Sequence, residues 1–314
     1  MTRYIVSRLG QALLVLWIAF TASFFLLQAL PGDAILIKFQ NPELGLGPEQ
    51  IAALREAYGV DSPLWQQYLQ TLGNFLTGQF GYSVVGSIPV SDALLANLPA
   101  TARLATFGFA LAVLLALAIS LLASFAPFRW LRGAIQALPP LFISVPVFWL
   151  GIMLIQIFSF RLKWISVINP GEWEGLILPV ITLAIPISAP LAQILMRNID
   201  EASTQPFVAV ARAKGASIAW VFWHHVARNA VLPTLTIAGI LFGELLAGAV
   251  ITETVFGLNG IGGLTERSVR FQDTSVIQAV VVFSALCFVV VNLTVDLLYP
   301  VFDPRLRKAK GALA

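Results

Sequence analysis

The chain has 314 residues, of which 58% are hydrophobic and only 11% charged, and its mean hydropathy is +0.84. A soluble globular domain carries about 25% charged residues, so this composition excludes that class. The net charge of +3 gives no reason to expect a nucleic-acid partner, and a lone cysteine, Cys287, excludes an internal disulfide.

A helix needs about 20 mostly apolar residues to cross a bilayer, because the hydrocarbon core is about 30 Å thick. Six segments meet that requirement, at 9–30, 100–126, 135–160, 176–197, 232–256 and 276–302. The expected fold is therefore an all-α polytopic membrane protein with six transmembrane helices, since backbone polar groups in lipid must be satisfied within each segment. Arg3 and Arg8 precede the first run, which is too long for a signal-peptide core and lacks a small-residue cleavage pattern. It is expected to be a retained span.

Residues 31–99 form the longest stretch between spans. The segment "GPEQIAALREAYGVDSPLWQQYLQTLGNFL" predicts two short helices, with Pro48 and Pro63 near their first turns. Ile51, Leu54 and Tyr58 share a face of the first; Leu64, Tyr68, Leu72 and Phe75 share a face of the second. Such a segment can lie on the membrane interface as a cap or dock an external partner. Further on, Pro139, Pro140, Pro146, Pro179, Pro186 and Pro190 predict kinks in the third and fourth spans.

Between the fourth and fifth spans, 198–231, the chain turns basic and glycine-hinged. Asp200 or Ser203 is expected to cap a helix start, with Phe207, Val210 and Ala211 on one face. Arg212 and Lys214 face elsewhere, and Gly215 breaks the helix before a second one, Ile218 to Ala230. Pro233 is expected to open the next span. A loop that only sets topology needs charge but no helical pattern or hinge. The pattern favours a hairpin that presents a short basic and apolar helix to a partner.

Three acids fall inside predicted spans: Glu244 mid-way along the fifth, Glu253 near its outer end, and Asp296 toward the inner end of the sixth. A charge at mid-bilayer costs at least about 2.5 kcal/mol, so such residues usually face a cavity or a partner. Glu244 either lines a translocation path and meets a cationic or polar substrate, or hydrogen-bonds another helix. Glu253 is expected to order the glycine-rich turn that follows it, a candidate gate. Asp296 is expected to pair with Arg228 or Arg197. The "DPR" at Asp303 to Arg305 ends the last span and begins a basic tail, 303–314.

Six spans put both termini on one side. That side then holds Arg3, Arg8, Arg129, Arg132, Arg197, Arg212, Lys214, Arg228, Arg305, Arg307, Lys308 and Lys310 against three acids, leaving seven basic and ten acidic residues opposite. The bias places both termini and the 198–231 hairpin in the cytoplasm, and 31–99 outside. No phosphate-binding loop, nucleophile elbow or paired membrane aspartates occur, and His224 and His225 are adjacent, which rules out an i,i+4 metal pair. No catalytic, cofactor-binding or metal-binding residue is expected in this chain.

"ARAKG" followed by "HHVARNAVLP" resembles the cytoplasmic coupling loop of bacterial ABC-importer permeases, in particular the first permease of the peptide/nickel family. The small triplet Ala209-Val210-Ala211 stands before Gly215, while the leading glutamate of the general pattern is absent. "LPGD", "YGVDSPLWQQY", "GQFGYS", "SVPVFWLG", "LPVITLA", "ITETVFGLNGIGGL" and "NLTVDLLYPVFDPRLR" resemble that family in order along the chain. The resemblance implies the type I importer permease fold in the inner membrane, with a second homologous permease, two cytoplasmic ATPases that bind ATP and magnesium, and an external binding protein as partners. It also implies coupling to an ATPase through Phe207, Val210, Ala211, Arg212, Lys214 and Gly215, with the apolar members anchoring the helix. Di- or oligopeptides are the expected solutes. Nickel or a metal complex is an alternative, since "GELLAG" also resembles nickel permeases, and glutathione is another. A secondary transporter, from a different class, would need an internal repeat that the sequence does not show.

Overall fold

The computed structural model describes residues 2–28, 62–83 and 85–302, and everything described is helix or the turns between helices, apart from one isolated bridge between Tyr82 and Pro89. The helix expected near Pro48, and the basic tail, lie outside the described residues. The helices are α1 (Thr2–Gln28), α2 (Leu64–Leu76), α3 (Val90–Ser124), α4 (Arg129–Gln136), α5 (Leu138–Ser144), α6 (Val147–Leu154), α7 (Glu174–Ser203), α8 (Pro206–Ala213), α9 (Ile218–Val221), α10 (Ala227–Phe256), α11 (Ile261–Arg270) and α12 (Thr274–Phe302). Short π-helical turns continue α6 over Ile155–Arg161 and join α9 to α10 over Phe222–Val226. Five helices are long and apolar enough to span a membrane, and six spans result if the bent pair α4–α5 and α6 with its π turn counts as one.

Two spans differ from expectation. The second helix opens at Val90 rather than at 100, because Val90, Leu94 and Leu98 continue one apolar face and Pro99 is tolerated inside it. The third span is broken, with a bend of 100° between Ser144 and Val147. Val145 is extended (φ −92°, ψ 119°) and Pro146 follows at φ −60°, ψ 136°. A proline disfavours the helical conformation for the residue before it, and at Val145 that steric preference is realised as the break. Pro139 and Pro140 fall in the first turn of α5, just after the interruption at Ala137, whereas α7 runs unbroken through Pro179, Pro186 and Pro190, and α10 through Pro233. Near Pro233, which cannot donate an N–H, Thr234 Oγ1 and Asn198 Nδ2 both reach the Ala230 carbonyl, at 2.9 and 3.4 Å.

The chain divides into two compact units. In the unit comprising residues 1–102 and 257–289, α2 lies on α1 through an aromatic cluster. Tyr68 stacks on Phe25 and meets Phe20 and Phe24 edge-on, while its hydroxyl bonds Trp17 Nε1 and Thr21 Oγ1. A second cluster joins Val90 and Leu94 to Ile261, Val276, Ala279 and Val280. Thr101 Oγ1 accepts the Ile261 N–H at 2.7 Å, satisfying one orphan donor at the start of α11. Gly263 sits two residues on, where a Cβ would meet the Leu258 carbonyl oxygen at 2.9 Å.

In the unit comprising 103–256 and 290–314, α7 is the central element, with half its length buried by α5, α6 and α10. Small residues permit the approach: a Cβ on Gly151 would press on Val255, Phe256 and Thr182 at 3.2–3.4 Å. Two ion pairs mark the ends of α7. Arg103 pairs with Glu172 just before it, and Arg132 Nη2 lies 2.6 Å from Asp200 Oδ1 near its other end. From 174 to 200 the helix rises roughly 39 Å, close to the full thickness of a bilayer with its headgroups, so the two pairs are spaced about as far apart as the two membrane interfaces. Both pairs are partly exposed and each stabilises by at most about 1 kcal/mol. Their value is positional.

Candidate functional site

The hairpin between α7 and α10 is built differently from expectation at its start. Asp200 and Ser203 do not cap a helix. Ile199 and Ala202 extend the buried face of α7, so the helix propagates through them to Ser203, whose hydroxyl bonds the Ile199 carbonyl. Asp200 instead pairs with Arg132. The new helix, α8, begins after Gln205 with Pro206 at its first position, where a missing N–H is harmless.

Its end follows the sequence closely. Gly215 takes φ +86°, the Ala216 N–H bonds the Ala211 carbonyl at 3.2 Å, and the Gly215 N–H bonds the Arg212 carbonyl at 2.9 Å. Those paired bonds are a Schellman motif, which satisfies the last carbonyls of α8 and reverses the chain. Ser217 then caps α9, its hydroxyl accepting the Trp220 N–H at 3.3 Å. The second arm does not stop at Ala230, and Pro233 opens nothing. The helix continues from Ile218 through the π turn to Phe256.

The inner face of the hairpin is held by Val208, Val221, Phe222 and Val226, packed with Leu195, Ile199, Ala202 and Ala230. The anchoring side chain of α8 is thus Val208. Phe207 and Val210, expected to anchor the helix, are exposed, while Ala211 is partly buried. Phe207, Val210, Ala211 and, contrary to the expectation that it faces elsewhere, Lys214 are spaced i, i+3, i+4 and i+7 and form one stripe that opens onto a cleft of about 790 Å³. Trp220 and His225 close its other wall. His225 faces Phe207 at 6.0 Å and Trp220 edge-on at 5.3 Å, while His224 stacks on Trp220 at 4.4 Å and its Nδ1 lies 2.9 Å from the Trp220 carbonyl. Gly215 also lines the cleft; Arg212 is exposed outside it. Trp220 and Val208 were not singled out in the sequence. The helical spacing of Val208 with Val221 and Phe222 across the hinge becomes readable only once the hairpin's closure is known.

The three membrane acids separate. Glu244 is exposed in the middle of α10, on a stripe with Ile240, Ala247 and Ile251 that is likewise exposed. Glu253 is fully buried near the end of the same helix, four residues before Gly257, which has φ +65°. Asp296 falls within α12, and its side chain lies outside the described part, as does its expected pairing with Arg228 or Arg197.

The model of a family described as "Binding-protein-dependent transport system inner membrane component" matches residues 108–308, and that of its N-terminal membrane component matches 1–105. The glutathione transport system permease protein GsiC of Escherichia coli strain K12 is 33% identical over 307 residues, covering 98% of this chain and 99% of its own. The GsiC protein of Shigella dysenteriae serotype 1 matches to the same extent. Among solved structures, the crystal structure of an amino acid ABC transporter with histidines has a TM-score of 0.49 and 20% identity, over 68% of this chain and 94% of that one.

Proposed function

Because the chain belongs to the family of inner membrane components of binding-protein-dependent transport systems, and is a multi-pass protein of the bacterial inner membrane, we propose that it is one permease of an ATP-driven importer for peptide-like solutes. Its partners are a second permease, an external binding protein and two cytoplasmic ATPases, which carry the ATP and magnesium. The termini and the 204–217 hairpin face the cytoplasm, following the bias of Arg and Lys.

The observation that carries this reading is the cleft at the hairpin tip. Phe207, Val210, Ala211 and Lys214 are free to meet a partner, while Val208 on the opposite face is locked into the bundle. A helix so placed transmits displacement, since its inner face cannot move without the ends of α7 and α10. Lys214 and, outside the cleft, Arg212 supply charge-assisted contacts to acids of an ATPase. Gly215 sets the turn that presents them. Glu244, uncovered at mid-span by the rest of its unit, is suited to line the path formed with the second permease.

Two solute readings stand. Di- or oligopeptides follow from the family resemblance; glutathione, itself a small peptide, follows from the similarity to GsiC. Proteoliposomes containing the full transporter test both. ATP-driven uptake of radiolabelled glutathione, dipeptide or nickel identifies the solute. Ala211→Glu and Gly215→Pro are expected to abolish uptake while the protein remains inserted. Unchanged coupling of ATP hydrolysis to uptake in both variants would overturn the role of the hairpin.

A further inference from the structure

At the other end of α7 from the cleft, the loop 161–173 between the π turn and α7 has a surface that the transport reading does not use. We propose that this loop is an anchor in the membrane–water interface, with Arg161 and Lys163 taking the phosphate headgroups of anionic phospholipid. Leu162, Trp164, Ile168 and Trp173 seat at the boundary with the acyl chains.

Three observations carry the proposal. First, the loop lies where the spans end: Arg161 is the last residue of the π turn, and Glu172 and Trp173 immediately precede α7. Second, its apolar side chains turn outward, Trp164 being 70% and Ile168 74% exposed. Tryptophan at the end of a span is the side chain best suited to headgroup depth, with an apolar ring and a polar N–H. Third, the charges are unequal in their engagement. Glu172 is taken by Arg103, and Glu174 Oε1 accepts the Ser166 N–H at 2.8 Å. Arg161 and Lys163 are exposed and carry no ion pair among the described residues. With Arg103 included, three cations (Arg103, Arg161 and Lys163) stand against two carboxylates (Glu172 and Glu174), so the loop presents a net positive charge beside exposed aromatic rings, which complements an anionic lipid surface.

The surface is also preformed. The Trp164 N–H bonds the Phe158 carbonyl at 2.9 Å, and the Ser159 hydroxyl bonds the Ile165 carbonyl. Trp173 packs edge-on against Phe107 at 5.8 Å. Binding lipid then requires little ordering of the loop.

The test places the full-length protein in nanodiscs of phosphatidylcholine, with either dibromo-phosphatidylglycerol or dibromo-phosphatidylcholine added in steps. The emission of Trp164 is obtained as the difference between wild type and Trp164→Phe. Half-quenching is expected at an about fivefold lower mole fraction of the brominated glycerol lipid, the preference that one net interfacial positive charge confers. Arg161→Gln with Lys163→Gln should abolish that preference while leaving quenching by brominated phosphatidylcholine unchanged, which also reports that the variant is folded. Arg161→Lys with Lys163→Arg should retain it. Equal quenching of wild type by the two lipids would overturn the headgroup assignment. Absence of quenching by either would overturn the anchor altogether and turn the loop toward a protein partner.

Discussion

Ser83 Oγ donates a 2.6 Å hydrogen bond to Asp273 Oδ2, joining residues 190 positions apart in the chain. The same carboxylate oxygen accepts the Val85 N–H at 3.2 Å, and Ser83 in turn accepts the Gly86 N–H at 2.8 Å. Asp273 is fully buried and stands directly before α12, so one side chain both closes the 83–87 turn and caps the last span. Asp273→Ala leaves three donors, the Ser83 hydroxyl and the Val85 and Val276 N–H groups, without their acceptor and is expected to destabilise this unit by at least about 2 kcal/mol. Ser83→Ala should cost less, because Val85 keeps its partner. Thermal unfolding in detergent should rank them in that order.

Val208 and Val210 are neighbours on one short helix with opposite surroundings, the first buried and the second exposed. Val208→Ala removes two buried methyl groups and should cost about 1.6 kcal/mol of stability. Val210→Ala should leave stability unchanged within about 0.5 kcal/mol and lower ATP-driven uptake. Paired measurements of melting temperature and uptake separate the two effects. Loss of stability in the Val210 variant would contradict this division of the helix.

At Gly215 an added Cβ meets nothing within 4 Å, so only the backbone resists substitution. Gly215→Ala is expected to cost about 1–2 kcal/mol in this turn through its positive φ. Gly215→Asn should be milder, since asparagine tolerates the left-handed region. Gly215→Pro cannot adopt φ +86° and also loses the N–H that bonds Arg212, and should be inactive. Uptake should therefore fall in the order Gly, Asn, Ala, Pro, with ATP hydrolysis becoming progressively uncoupled from it.

Glu244 and Glu253 occupy one helix and should respond oppositely. Glu253→Ala empties a fully buried site and is expected to lower folded yield and melting temperature. Glu244→Ala changes an exposed position and should leave both intact while reducing the rate of solute uptake. A melting temperature for the Glu244 variant as low as that of the Glu253 variant would remove the case for Glu244 in the path.

Hydropathy located α1, α3, α7, α10 and α12, because length and apolarity are what a bilayer selects. It could not locate the 100° break at Val145-Pro146, since mean hydropathy carries no direction. Nor did proline content suffice: Pro146 breaks its span, whereas Pro186 and Pro233 do not. The hinge at Gly215 was legible because its signal is local. The face of α8 that packs inward was not, since helical spacing identifies a Phe207–Val210–Ala211 stripe without saying whether core or solvent receives it. That choice was made by Val221 and Phe222 on the returning arm. The bond between Ser83 and Asp273 had no local signature at all.

The ion pairs Arg103–Glu172 and Arg132–Asp200 bracket one unbroken, half-buried helix and so work as a gauge of bilayer thickness. In lipids of longer acyl chain, one pair or the other would be drawn toward hydrocarbon, at a cost of fractions of a kcal/mol per ångström. In lipids of shorter acyl chain the helix would instead be too long and would tilt, and because α7 leads directly into the hairpin that carries α8, that tilt would reposition the cleft at its far end. Uptake should therefore pass through an optimum as acyl-chain length is varied, giving the membrane itself a say in how firmly the transporter engages its source of energy.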